Sequence, residues 1–269
     1  MAQPATWPPL SEPASDAPLV LTRAEAGVGY LVLNRPAKRN ALDAALRKAV
    51  VDALAEWRNN EHVRVVVLTG AGKAFAAGAD LRELLARTPE TQRAFLTPPH
   101  IYDAVSNFPM PVIACVNGHA LGAGCELMMA CDLRIAADSA RIGQPEITLG
   151  LIPGGGGTQR LPRLVGFGRA MRMVLSGEAL SAEDAAKIGL VEEVVEDGRL
   201  HAHVKSFAET MAARSPVALR AAKAAMRVAW ERPLSEGLAY EVERFMETFG
   251  SSEARKAIDA FLNRGAGRP

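Results

Sequence analysis

Three largely apolar segments of strand length constrain this chain more than any other feature: "VRVVVLTG" (63–70), a nearly continuous apolar run, "PVIACVNG" (111–118) and "CDLRIAAD" (131–138). A strand with one wet face alternates apolar and polar residues. A strand covered on both faces does not need to, so these runs predict buried, largely parallel strands. Parallel neighbours require a crossover, and the intervening segments supply helices. "NALDAALRKAVVDALAEWRNN" (40–60) places Leu42, Leu46, Val50, Leu54 and Trp57 on one helical face, with Val51 and Ala53 beside the stripe and Asn40 or Asp43 as N-cap. Arg87 to Asn107 reads as helix interrupted by "TPPH", and another helix begins near Ala123. Leu19 to Leu33 reads as two short strands joined by a turn around Ala24 to Gly27 and stopped by Pro36. Strands alternating with helices give an α/β fold with a largely parallel sheet.

Beyond Thr158 the pattern turns mostly helical. "LSAEDAAKIG" carries a capping box, Ser181 with Asp184, and ends at Gly189; "LVEEVV" is a short strand. Leu200 to Arg264 is nearly all helix, broken near Pro216 and Pro233. No fixed-period repeat is visible. The expected organisation is a proline-rich leader over 1–18, a core domain over 19–199 and a helical C-terminal region over 200–269. A chain of 269 residues with 49% hydrophobic content supports one sizeable core. A net charge of +1 gives no general basic face for nucleic acid. No apolar run approaches the ~18 residues that span a bilayer, and the N-terminus lacks the basic start and apolar centre of a signal peptide. Cys115, Cys125 and Cys131 lie in apolar surroundings without metal-ligand spacing, which reads as reduced core thiols of a cytoplasmic protein.

One segment conflicts with a purely apolar core. "ALGAGCELMMACDLRI" (120–135) sets Glu126 among Ala, Cys, Leu and Met, just behind Gly122 and Gly124. Ionising a carboxyl in such surroundings costs several kcal/mol unless something compensates. None of the glycine-rich stretches ("GVG", "GAGKAFAAG", "GAG", "PGGGG") completes a dinucleotide or P-loop motif. Two of them, "FAAGADL" and "ALGAGCEL", instead turn sharply at strand ends, where free backbone N–H groups gather. Two such donors aimed at one point form an oxyanion hole; either turn alone is an ordinary turn.

Together, "LNRPAKRNAL", "KAFAAGADL", "PVIACVNGHALGAGCELMMACDLRIA", "IGQPEITLGLIPGGGGTQRL" and "AKIGLVEEVV" resemble the crotonase superfamily, and within it the enoyl-CoA hydratases, over roughly Leu19 to Arg264. The resemblance implies a spiral of repeated ββα units with a helical C-terminal region that drives assembly into trimers, often paired into hexamers. It implies Glu126 and Glu146 as the catalytic pair, and the amides of Ala79 and Ala123 as the oxyanion hole. Ala123 departs from the glycine common there, which matters only if that position needs a dihedral alanine resists. For substrate and CoA it implies Lys38 and Arg39, the turn residues Ala77, Asp80 and Leu81, Gly122, Gly154, and Arg264 in an altered C-terminal ending. The least family-like stretch, Arg87 to Tyr102, covers the region that lines the acyl pocket in related proteins. Phe95, Leu96, Ile101 and Tyr102 are candidates there, and helix packing explains them equally well.

The implied reaction is hydration of a trans-2-enoyl-CoA to a 3-hydroxyacyl-CoA, with no metal or redox cofactor, since coenzyme A belongs to the substrate. Alternatives are a Δ3,Δ2-enoyl-CoA isomerase, an acyl-CoA hydrolase or a non-catalytic acyl-CoA-binding subunit. Other polar residues take structural readings: His119 as a packed or turn histidine, His201 and His203 as solvated, Asp132 and Arg134 as a polar pair, and Met128 and Met129 as core.

Overall fold

In the computed structural model the described residues are 17–98 and 100–265. The leader expected over 1–18 therefore lies almost wholly outside them. The chain opens with an antiparallel hairpin, β1 (Val20–Glu25) and β2 (Val28–Leu33), turned by Ala26 and Gly27 at φ 51° and 81°. Two positive dihedrals match the twist of the flanking strands. α1 (Ala44–Trp57) follows; Asp43, not Asn40, caps it, accepting from the Leu46 amide at 2.7 Å. Asn40 is instead buried at φ 56°, and its side chain bonds Arg35 N, Ala71 O and Ala74 O, stitching three segments together.

Three strand pairs then repeat. β3 (Val65–Gly70) and β4 (Ala74–Ala76) lead to the short helices α2 (Leu81–Leu85), α3 (Pro89–Leu96) and α4 (Ile101–Ser106). β5 (Val112–Val116) and β6 (His119–Leu121) lead to α5 (Ala123–Ala130). β7 (Leu133–Ala137) and β8 (Arg141–Gly143) lead through a 3-10 turn, Pro145–Leu149, to α6 (Gly157–Val165) and α7 (Phe167–Ser176). β9 (Leu180–Ser181), α8 (Ala182–Lys187) and β10 (Glu193–Val195) complete the core; α9 (Leu200–Ala212), α10 (Pro216–Val228), α11 (Leu234–Phe249) and α12 (Ser252–Gly265) complete the described chain.

The first strand of each pair enters a six-stranded sheet ordered β1-β2-β3-β5-β7-β10, parallel except at β1. The second enters a four-stranded sheet ordered β4-β6-β8-β9. This is the expected ββα spiral, repeated in structure without a sequence period. The apolar runs are buried on both faces, as anticipated. Val66, Leu68 and Ala114 face one cluster with α1, α4 and α5; Val65, Val67, Ile113 and Cys115 face a second, closed by Leu200, Val204, Ala208 and Ala212 of α9.

Two structural readings need correction. Asp132 and Arg134 do not pair with each other. Arg134 pairs with Glu192, while Asp132 accepts from Val112 N and pairs with the buried Lys223 of α10. His203 is at the surface against Glu193, but His201 is half-buried, with Nδ1 3.5 Å from Cys115 Sγ. Burial pushes all three cysteine thiols up to about 12, as expected for core cysteines.

Candidate active site

The small sheet positions the site. β4, β6 and β8 run parallel with their ends in register, Ala76 beside Ala120 and Leu121 beside Gly143. The three loops that follow, Ala77–Ala79, Gly122 and Gln144–Glu146, therefore leave the same edge. Gly122 turns from β6 into α5 at φ 51°, ψ −122°, a conformation that residues with a Cβ rarely adopt. Gly124 follows because nothing larger fits: a Cβ there would stand 1.9 Å from the Ala76 carbonyl oxygen. This close approach brings the first turn of α5 against the loop leaving β4.

Ala79 lies in that loop, bridged to Leu42; the bridge uses Gly78 O and Asp80 N and leaves the Ala79 amide out. Ala123 is the first residue of α5, where a helix amide has no intrahelical acceptor. Among the described residues neither amide donates in any turn, loop or side-chain bond. Ala123 is absent from the residues with positive φ, so alanine sits there without strain.

Glu126, in the first turn of α5, is 2% exposed. Its Oε1 accepts from the amides of Gly155 at 2.7 Å, in the loop leading into α6, and of Gly157 at 2.8 Å, the first residue of α6. Its Oε2 faces the Tyr102 hydroxyl at 3.5 Å, and Arg47 Nη1 donates to that hydroxyl at 3.1 Å. Burial pushes the Glu126 carboxyl up; the two amides, then Arg47 and Arg160, hold it down. Gly155 must be glycine, because a Cβ would lie 2.2 Å from the Tyr102 ring and 2.6 Å from Glu126 Oε2.

Glu146, in the 3-10 turn after β8, lies against Gly122, with Oε1 3.1 Å from where a Gly122 Cβ would be. Its Oε2 is buried and has no hydrogen-bond partner among the described residues. Burial raises its carboxyl to about 7, opposed by its own amide and reinforced by the negative charge of Glu126. Gln144 braces the same corner through Nε2 to Gly122 O at 3.2 Å. The two carboxyls thus share one field, Glu126 held by the Gly155 and Gly157 amides and Glu146 opposed only by its own amide, with Oε2 left unpartnered among the described residues. Burial raises both carboxyls, and what distinguishes them is the donor set that opposes the rise.

The other anticipated residues divide. Lys38, Asp80 and Leu81 line an open cleft of about 710 Å³ together with Arg35, Asp43 and Ala79. Asp80 caps α2 and pairs with Arg35 at 3.2 Å, so the protein occupies both its oxygens. Arg39 is exposed beside the cleft at φ 49°, and its carbonyl accepts from Ala77 N at 3.0 Å. Gly154 approaches Leu96, whose Cδ1 is 3.4 Å from a Gly154 Cβ position. Phe95 lies under the guanidinium groups of Arg87 and Arg47. Ile101 is core, and Tyr102 turns to Glu126. The Arg264 side chain lies outside the described residues. Among the described residues no three His, Cys, Asp or Glu gather as a metal would need.

Arg35, Arg47 and Arg160 were not singled out from the sequence. Arg35 joins Asp43 and Asp80, and Arg160 Nη1 holds the Gly155 carbonyl at 2.9 Å. Arg47 carried a readable signal: positions 47, 50, 54 and 57 form one helical row, and Val50, Leu54 and Trp57 are all buried.

A profile of the Enoyl-CoA hydratase/isomerase family matches residues 23–267. A 2,3-dehydroadipyl-CoA hydratase of Escherichia coli is 43% identical over 250 residues, 91% of this chain and 96% of the relative. A short-chain-enoyl-CoA hydratase of Clostridium acetobutylicum is 39% identical over 247 residues, 91% and 95% of the two chains. The crystal structure of an enoyl-CoA hydratase from Bacillus anthracis superposes with a TM-score of 0.87 at 38% identity, covering 91% of this chain and 96% of that one.

Proposed function

From the premise that this chain belongs to the enoyl-CoA hydratase/isomerase family, we propose that it adds water across the double bond of a trans-2-enoyl-CoA to give the 3-hydroxyacyl-CoA. The observation that carries the reading is the unequal carboxyl pair: Glu126 held by the amides of two other residues and faced by a hydroxyl, Glu146 with its Oε2 unpartnered among the described residues and its carboxyl raised to about 7. In this mechanism the amides of Ala79 and Ala123 grip the thioester oxygen, which draws electron density from C3. Ionised Glu126 takes a proton from a water as its oxygen bonds to C3. The electrons of the double bond move into an enolate on that oxygen, and protonated Glu146 delivers its proton to C2 as the carbonyl re-forms. Glu126 ends protonated and Glu146 ionised, and transfer of one proton through solvent resets the pair. An oxyanion donor is worth about 10² to 10³ in rate and general acid–base help about 10² to 10⁴.

The thioester itself makes C3 electrophilic, so the proposed reaction calls on no metal or redox cofactor, and coenzyme A arrives with the substrate. The cleft by Lys38 and Arg35 supplies the cations its phosphates would meet. The exposed Leu238, Val242, Phe245 and Phe249 on α11 and Phe261 and Leu262 on α12 support assembly through these helices into a homotrimer or a dimer of trimers. Among the described residues no helix is long and apolar enough to cross a membrane; a cytoplasmic setting is part of the proposal.

The test is a panel of 2-enoyl-CoA thioesters of increasing length, with 2,3-dehydroadipyl-CoA and 3-enoyl-CoA included, and products identified by mass. Addition of one water to the 2-enoyl substrates is expected. Glu126→Gln and Glu146→Gln are each expected to slow it by at least about 10². Near-wild-type turnover in both variants, or rearrangement of the 3-enoyl substrate without hydration of any 2-enoyl one, sinks the reading.

A further inference from the structure

We propose that Tyr102, backed by Arg47, is a positioning residue for Glu126, its hydroxyl fixing Oε2 of that carboxylate so that one lone pair is left for the reacting water. The inference rests on the hydratase reading and deepens it.

Four observations carry it. First, the two oxygens of Glu126 are not equivalent. Each carboxylate oxygen has about two acceptor sites; the Gly155 and Gly157 amides fill both on Oε1, so a proton from water has only Oε2 to go to. Second, the direction of the Tyr102 hydroxyl is determined. Arg47 Nη1 is a donor that cannot accept, so the hydroxyl takes its bond at 3.1 Å and turns its own proton to Glu126 Oε2 at 3.5 Å. That second contact is long, as catalytic hydrogen bonds often are before substrate closes the site. Third, Arg47 is buried and, among the described residues, enters no ion pair. It reaches carbonyl Leu42 O at 3.3 Å and the rings of Phe95 and Tyr102, and the anion its charge answers lies across the tyrosine hydroxyl. Fourth, the packing forbids drift. The Tyr102 ring and Glu126 Oε2 both press on Gly155, and Tyr102 is 1% exposed. A phenylalanine would fill this space; a buried hydroxyl is stable there only because it has both partners.

The groups facing Glu126 are Arg47 from α1, Tyr102 from α4, Arg160 from α6, Glu146 from the turn after β8 and Cys125 beside it on α5. His100 and Asp103 stand behind Tyr102 and Arg160, and burial lowers the His100 imidazole. Tyr102 itself is pushed above its ordinary value by burial, so it remains a donor throughout the working range. Removing its hydroxyl withdraws a donor from the ionised form of Glu126, so the acidic limb of kcat moves to higher pH.

The experiment is Tyr102→Phe, Arg47→Met and the double variant, with Glu126→Gln as reference, each followed by kcat and KM across pH and by Tm. Tyr102→Phe is expected to lower kcat about tenfold, the low end of a hydrogen bond to a charged group, with KM within about twofold and the acidic limb raised by at least about 0.5 pH. Arg47→Met is expected to repeat that signature, and the double variant to be no worse than the poorer single one by more than about twofold, because the residues act in series. If Arg47→Met does not fold, the kcat and limb of Tyr102→Phe decide alone. Unchanged kcat and limb in Tyr102→Phe, or losses that multiply in the double variant, overturn the positioning role. If this happens while Glu126→Gln is inactive, the hydratase reading stands without it; if Glu126→Gln turns over normally, that reading is what has failed.

Discussion

In the proposed reaction Glu146, as the general acid, would set the upper pH limit of turnover. A general acid must carry its proton, and burial together with the neighbouring anion keeps this carboxyl protonated to about 7. Turnover is therefore expected to fall as pH rises through about 7, read from the basic limb of the kcat profile; a flat profile to about pH 9 removes Glu146 from the acid role. The same shift acts on stability. In the unfolded chain the carboxyl ionises near its ordinary 4.5, in the folded chain near 7, so between those values the folded form binds the extra proton. The folded state loses stability as pH rises through that window. Glu146→Gln is expected to flatten the loss, seen as a urea midpoint that gains on wild type from pH 5 to pH 7 and holds the gain above it.

At the scale of elements, α5 is the part with least freedom. Its start is fixed by Gly122 at positive φ and by Gly124 against the Ala76 carbonyl. Gly124→Ala would drive a Cβ into main chain that cannot rotate away, at 1.9 Å. We expect a loss of about 1–3 kcal/mol or more in denaturant titration, with turnover falling as the amides of Ala79 and Ala123 move apart. Stability within about 0.5 kcal/mol of wild type would show that the approach is looser than described. The large elements of this fold are written in the sequence because they are long enough to show a pattern: the apolar segments became β3, β5 and β7, and the stripe from Leu46 to Trp57 became α1, with Leu42 left outside it in a bridge to Ala79. β4 and β6 showed only as strand ends before the turns of "FAAGADL" and "ALGAGCEL", and β8 and β9 were invisible, because two or three residues are too few to show alternation and their pairing is decided by partners far along the chain. The site divides the same way. Glu126 was legible as an acid in an apolar, glycine-flanked run and Glu146 through the family resemblance, but Tyr102 reads as pocket lining or packing, and Arg47 shows only as a charge in a buried helical row, until the fold places them on one carboxylate. The capping box expected at Ser181 and Asp184 is present as a cap, with the serine hydroxyl accepting from the Asp184 amide at 3.1 Å.

Over the described residues, α9 belongs to the sheet core, and α10 is tied to it by Leu219, which packs against the core, and by an ion pair of the buried Lys223. Lys223 reaches Met110 O at 3.0 Å and pairs with Asp132, which also accepts from Val112 N at 2.8 Å; the pair thus grips both the start of β5 and the loop after α5. Lys223→Met leaves Asp132 partly buried without its cation and is expected to cost about 2–3 kcal/mol. Thermal unfolding should report it, and a Tm within about 1 °C of wild type would show that the helices are held by other contacts. If α11 and α12 meet a second copy, Phe245→Asp and Phe261→Asp together should reduce the mass measured by sedimentation to one chain. An unchanged mass would place the assembly surface elsewhere. The small four-stranded sheet has a consequence for how such a molecule can change over time. Its strands end level, so an exchange in any one of the three loops lands at a set offset from the other two. A descendant could acquire a different reaction by trading single loop side chains, while the strands that aim them keep their sequence and their stability.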